Sequence, residues 1–209
     1  MSTLEDLRKK AIELRNKGLT TQDIANELNL QIDTVTWLLL HEKQRRKTPT
    51  PFDFSVNWSS IGCSPKRLNL ISSALADLAS EAVEAGQFEP FDVVLGVELP
   101  GSPLGYVVAE KLEKPYAVVR TTRVEGGSEA DEESIMGALS TNFSTVENKR
   151  VLLVADVIST GVVLAGTIKS LRQTEAEPVG IVVLADKRGI AELAGVPVKS
   201  LINLIALKK

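Results

Sequence analysis

Between Lys149 and Gln173 the chain reads KRVLLVADVISTGVVLAGTIKSLRQ, an unbroken apolar run ending on one acid, then a Ser-Thr-Gly turn, then an amphipathic segment. An apolar run without alternation fits a strand buried on both faces, the situation of a parallel sheet covered by helices on either side. The rhythm recurs along the second half. FDVVLGV, PYAVVRTT, RVLLVAD, PVGIVVLAD and VPVKSLINL read as strands, and PLGYVVAEKLE and VVLAGTIKSLRQ as the helices between them. A polar loop precedes RVLLVAD, a short helix is expected near Ile190, and RLNLISSALADLASEAVEAG is a further helix ahead of the first strand. An α/β fold with a parallel sheet accommodates this alternation. Aromatics are 4% of the chain, so its core must be aliphatic.

The front of the chain has a different period. Leu4, Leu7, Ala11 and Leu14 share a helical face, and Gly18 follows in the position that often ends a helix. Thr20 or Thr21 can cap a second helix carrying Ile24, Ala25 and Leu28. Asn29 then sits where a turn often needs positive φ, and a third helix bears Val35 and Leu38. Three short helices in this order predict a helix-turn-helix. The expected organisation is therefore a helix-turn-helix DNA-binding domain over 1–47, a linker or cover segment over 48–66, and an α/β domain over 67–209.

On the exposed face of the third helix Gln31, Thr34, Thr36 and Trp37 would reach base edges or backbone, as recognition helices do. Lys43, Arg45, Arg46 and Lys47 form a basic run suited to phosphates. One such unit reads a half-site, so specific DNA binding predicts a two-fold homodimer. The alternative is a helical module for protein contacts or dimerisation, with Trp37 and the leucines after it packed on the second domain. Charge permits the DNA reading without requiring it: the net charge is −3, yet residues 1–47 hold nine Lys/Arg against seven Asp/Glu.

Cys63 is the one cysteine and His41 the one histidine, which excludes an internal disulfide and a Cys/His zinc site. No metal site is expected. Neither an apolar run of membrane-spanning length nor an apolar leader core is present, so a cytoplasmic protein with no membrane partner is expected.

In open α/β sheets ligands sit beyond the carboxyl ends of strands, which is where Asp156, Val157, Ile158, Ser159, Thr160 and Gly161 fall. The amides and hydroxyls of Ser159–Gly161 can wrap a phosphate at the start of the next helix, and Asp156 can accept from ribose hydroxyls. The spacing matches neither a P-loop nor a dinucleotide fingerprint. VELPGSP, Val97–Pro103, reads as a strand-to-helix turn with Pro103 first in the helix, or as a loop whose Gly101 and Ser102 amides face a diphosphate.

VLLVADVISTG resembles the phosphoribosyl pyrophosphate (PRPP) signature of type I phosphoribosyltransferases, four apolar residues, two acids, two apolar residues and a hydroxyl-rich turn ending in Gly. VVLGVELPGSPLGYVVAEKLEKPYAVVR is similar to the strand, pyrophosphate loop and helix of the orotate enzymes, and the likeness runs over roughly residues 65–205. With the front helices added, the chain resembles archaeal orotate phosphoribosyltransferase-like transcriptional regulators of the sugar-catabolism type. The resemblance implies a type I phosphoribosyltransferase-like domain, a ribose-phosphate ligand such as PRPP, and sugar or nucleotide metabolism genes as targets.

The departures point away from catalysis. Ala155 replaces the first acid of the pair, Val162 and Val163 replace hydroxyl residues after the Gly, and Thr121 stands where a lysine of the orotate enzymes would lie. Arg120 and Arg123 remain as pyrophosphate-side candidates, but the loop beyond, VEGGSEADEES, has five acids and no Lys or Arg. A pyrophosphate leaving group needs cations where its charge develops, and an acidic flap opposes that. Lys111, Lys114 and Lys187 read as solvated charges. The expectation is a regulator that senses a ribose phosphate, with no catalytic residues, no required cofactor, and Mg²⁺ accompanying PRPP where PRPP is the ligand. The rival is an active orotate- or purine-type transferase with a regulatory front domain.

Overall fold

The computed structural model describes residues 4–40, 55–123 and 135–204. The chain divides into two compact units, Met1–Trp58 and Ser59–Lys209.

The first unit holds α1 (Leu4–Asn16), α2 (Thr21–Leu28) and α3 (Ile32–Leu40). Thr20 caps α2 through a reciprocal box with Asp23, each side chain bonding the other's backbone N–H. Asn29 ends α2 in the left-handed region at φ 52, the turn conformation its sequence position predicts. Ala11, Ile24, Ala25, Leu28, Leu30, Val35 and Leu38 form the core, an arrangement compatible with a helix-turn-helix. Ser55 Oγ donates to the Leu28 carbonyl at 3.2 Å and Asn29 Nδ2 to the Val56 carbonyl at 2.9 Å, folding Ser55 and Val56 back onto the end of α2.

The second unit runs α4 (Ser59–Gly62), α5 (Pro65–Glu84), β1 (Val93–Val97), α6 (Glu98–Lys111), β2 (Tyr116–Arg123), β3 (Ile135–Leu139), β4 (Arg150–Ile158), α7 (Val162–Gln173), β5 (Glu177–Asp186), β6 (Glu192–Leu193) and β7 (Val196–Asn203). The seven strands form one sheet in the order β3-β2-β1-β4-β5-β7-β6. Pairing is parallel from β2 to β7 and antiparallel at the two edges, β2 with β3 and β6 with β7.

The strands lack alternation because both faces are covered. Val93, Leu95, Val97, Val151, Leu153, Ile181 and Val183 pack into one apolar cluster with Leu164, Ile168 and Leu171 of α7. Their neighbours Val94, Leu152, Val154 and Val182 pack into another with Leu75 and Ala79 of α5 and Leu104 and Val108 of α6. Each such side chain contributes about 1.5–3 kcal/mol when fully buried.

Three local expectations are corrected. The segment before β4 is not loop throughout: β3 pairs with β2 through Thr121↔Gly137 and its neighbours, a long-range partnership that local pattern does not reveal. No helix forms near Ile190; β6 pairs there with β7 across a turn at Gly195, φ 80. Pro103 is not first in its helix, because α6 starts at Glu98 and runs through it. Among the described residues no helix is long and apolar enough to cross a membrane.

Candidate functional site

Chain direction places a crevice beside the start of α6. From β1 the chain crosses through α6 to β2 on one side, and from β4 through α7 to β5 on the other. The carboxyl ends of β1 and β4 therefore flank the point where strand order reverses, the place where ligands bind in open α/β sheets.

β4 extends further than its apolar run suggests. Val157 pairs with Ala185 and Ile158 with Asp186, so Asp156, Val157 and Ile158 are strand and only Ser159–Gly161 is loop. The ten residues of β5 give β4 a partner along its whole length. Asp156 is 9% exposed and Ile158 is 1% exposed, so Ile158 offers a ligand its backbone alone. Gly161 caps α7 at φ 87, which a residue with a Cβ rarely adopts. Thr160 Oγ1 accepts from the Val162 N–H at 3.4 Å. Ser159 Oγ is sealed from solvent and has no hydrogen-bond partner among the described residues. The first turn of α7 carries no acid, so the helix N-terminus keeps its attraction for an anion.

Ala155 lies 5% exposed in the cluster facing α7. A carboxylate there would sit among apolar side chains, which is a physical reason for alanine at this position.

On the other flank α6 lies close against the sheet. A Cβ on Gly101 would stand 2.7 Å from the Val154 carbonyl oxygen, and one on Gly105 2.9 Å from the Gly96 Cα. Gly101 and Ser102 lie near the N-terminal end of α6, which starts at Glu98. Ser102 Oγ donates to the Glu98 carbonyl at 2.6 Å, and the Tyr116 hydroxyl donates to the Ser102 carbonyl at 2.6 Å. Burial pushes the Tyr116 phenol up, with its bond to Ser102 opposing. Glu98 itself is held at φ 62, a strained conformation for a residue with a side chain. Arg120 is exposed on β2 and Arg123 ends that strand. The acidic stretch 124–134 lies outside the described residues, as do Lys43, Arg45 and Arg46.

In the front unit Gln31 is exposed and Thr36 half-buried, but Thr34 is only 6% exposed. Its expected place on the open face of α3 is thus corrected: Thr34 adjoins Val35 of the three-helix core and cannot reach a base edge. Trp37 is half-buried against that same core. Among the described residues no group of three or more His, Cys, Asp or Glu could hold a metal.

The β5–β6 turn, to which the sequence assigns no site, is joined to the Ser159–Gly161 turn. Asp186, 1% exposed, accepts the N–H groups of Arg188 at 2.7 Å and Ile190 at 2.8 Å. The Lys187 N–H donates to the Ile158 carbonyl at 2.9 Å, and Arg188 Nη1 to the Thr160 carbonyl. A signal was present, since IVVLAD, like VLLVAD, is an apolar run that ends on an acid.

A model of the phosphoribosyl transferase domain matches residues 66–205. Transcriptional regulator GfcR of Methanosarcina mazei is 42% identical over 205 residues, covering 98% of each chain. GfcR 1 of Methanosarcina barkeri is 41% identical, covering 99% of this chain and 100% of its own. Among solved structures, orotate phosphoribosyltransferase from Aeropyrum pernix superposes with TM-score 0.54 at 24% identity, covering 73% of this chain and 79% of that one. Adenine phosphoribosyltransferase from Thermoanaerobacter pseudethanolicus gives TM-score 0.55 at 20% identity, covering 74% and 90%. The likeness to these two enzymes is one of fold.

Proposed function

The chain belongs to the phosphoribosyl transferase domain family over residues 66–205 and to the archaeal transcriptional regulators named GfcR over 98% of its length, and on that premise we propose that it is a DNA-binding transcriptional regulator sensing a ribose phosphate. The ligand is PRPP or a related nucleotide, and the target genes serve sugar or nucleotide metabolism. The observation that carries the proposal is the turn after β4: a buried Ser159 hydroxyl with no partner among the described residues, a left-handed Gly161 and the acid-free start of α7 stand together at the switch point of the sheet. The front unit, with Gln31 exposed just before α3, supports the DNA-binding half, with Lys43, Arg45 and Arg46 to neutralise phosphates.

The chemistry favours binding over transfer. Asp156 accepts from the ribose hydroxyls, while Ala155 supplies no second carboxylate. Mg²⁺ enters with PRPP on the ligand's own pyrophosphate oxygens, the mode in which this ion is usually held. A homodimer places two front units on a two-fold operator. Ligand shifts the dimer between conformers with different half-site geometry only as far as it binds one of them more tightly.

The test is a titration of the protein on its own upstream DNA with and without PRPP, comparing wild type with Asp156→Ala. The expected outcome is a PRPP-dependent change in operator affinity in wild type, and loss of that response with DNA binding retained in the variant. Equal behaviour of the two proteins would separate the halves of the proposal. The rival transferase is tested by incubation with PRPP and orotate or a purine: turnover at about 1 per second or faster, an ordinary enzymatic rate, would overturn the non-catalytic assignment.

A further inference from the structure

The phosphate loop has a charge deficit. From Ala155 to Val163 the one charged residue is Asp156, and it is negative. A phosphomonoester near neutral pH carries close to two negative charges, and a helix N-terminus offers only about half a positive one. Ser159 and Thr160 add hydroxyls without charge, and Val162 and Val163 add neither. A cation from another element would balance that charge.

Arg188 is that cation. Its Nη1 meets the Thr160 carbonyl, and the same atom stands 3.4 Å from where a Cβ on Gly161 would be. The guanidinium thus lies alongside the loop and the N-terminus of α7. It is exposed, and its fork carries five N–H donors. Its backbone is held by the buried Asp186 carboxylate, which takes the Arg188 and Ile190 N–H groups, while the Lys187 N–H to Ile158 carbonyl bond fastens the turn to β4. A rigid mounting lowers the ordering cost when the side chain engages a ligand.

We propose that Arg188 is a phosphate-binding residue of this site, donating from its guanidinium to a phosphomonoester seated on Ser159–Gly161. The inference rests on the ribose-phosphate assignment above and adds the residue that balances the ligand's charge. It also joins ligand to fold. The group that receives the phosphate belongs to the β5–β6 turn, so occupancy couples the phosphate loop to the far edge of the sheet through Arg188 and Asp186. The ligand class is any ribose 5-phosphate, whether free, as PRPP or as a nucleotide, since the monoester is the shared chemistry.

The experiment is calorimetric titration of the full chain with ribose 5-phosphate and PRPP for wild type, Arg188→Gln and Arg188→Lys, with thermal unfolding to confirm folding. Glutamine keeps an N–H donor for the Thr160 carbonyl and removes the charge. The expected result is roughly 10- to 100-fold weaker binding of both ligands to Arg188→Gln, the measure of one charge-assisted hydrogen bond, with lysine recovering part of it. Wild-type affinity should also fall more steeply with added salt than that of the glutamine variant. If Arg188→Gln binds within about twofold of wild type and with the same salt slope, Arg188 merely tethers Thr160 and the proposal is overturned. If wild type itself binds neither ligand, the ribose-phosphate assignment fails first and this inference with it.

Discussion

Gly101 shows how narrow the tolerances beside the site are. A methyl group there would press on the Val154 carbonyl at 2.7 Å and the Ala155 Cα at 3.0 Å, both backbone atoms of β4 that have little room to yield. Gly101→Ala is therefore expected to destabilise by about 1–3 kcal/mol, the usual range for overpacking, measured by urea unfolding. Because β4 carries Asp156, the same variant should weaken ribose-phosphate binding. At the start of α3 burial separates two residues that sequence placed together. Gln31 is exposed and Thr34 is 6% exposed, so Gln31→Ala should alter operator affinity or base preference. Thr34→Val, which keeps the shape, should leave base preference unchanged in a binding-site selection. A shift in preference with Thr34→Val would show that α3 meets DNA through another face.

At the scale of elements, the joints between strands set the site, and several depend on polar contacts rather than apolar burial. Asp92, just before β1, accepts the Arg150 N–H at 3.0 Å and pairs with its guanidinium at 3.1 Å, tying the entries of β1 and β4 together. The Arg150 hydrogen bond holds the Asp92 carboxyl below its usual value. A depressed folded-state pKa means stability that is present above the unfolded-state pKa and lost as the pH falls through the folded-state one. Asp92→Ala should thus be less stable than wild type at neutral pH, with the difference closing at acidic pH in a series of unfolding curves. The pair is exposed, so the gap should be modest. The elements that local pattern missed are the edges: β3 is short, antiparallel and partnered at a distance in sequence, and β6 is two residues paired with β7 across a tight turn, whereas β1, β4 and β5 announce themselves by length and apolarity. The start of α6 was misplaced for a related reason. Pro100 and Pro103 read locally as a turn, yet close packing of Gly96, Gly101 and Gly105 draws that stretch into helix.

For the whole molecule, the division at Trp58 and Ser59 leaves each unit with its own core. Residues 59–209 alone are expected to unfold cooperatively and to bind ribose 5-phosphate with the affinity of the full chain, measured by denaturant titration and calorimetry. That fragment should not bind the operator. The proposed homodimer would read two half-sites, so the intact protein should protect a two-fold sequence with half-site centres about 10 base pairs or a multiple apart in footprinting. Protection of a lone half-site would remove the dimer from the proposed function.

Some of this was legible from residues alone because the signals are local. Buried strands need continuous apolar runs, a helix end needs Asn29 or Gly18, and Ser159–Gly161 reads as the turn between a strand and a helix. These set the fold class, the three-helix front and the loop. Other features arise between segments distant in sequence, and no local pattern encodes them. Thr34 is 6% exposed beside a core drawn from three helices, and Ala155 is buried in the apolar cluster it shares with Leu164, Ile168 and Leu171 of α7. Arg188 reaches Thr160, 28 residues away, because parallel pairing of β4 with β5 sets the ends of the two strands side by side.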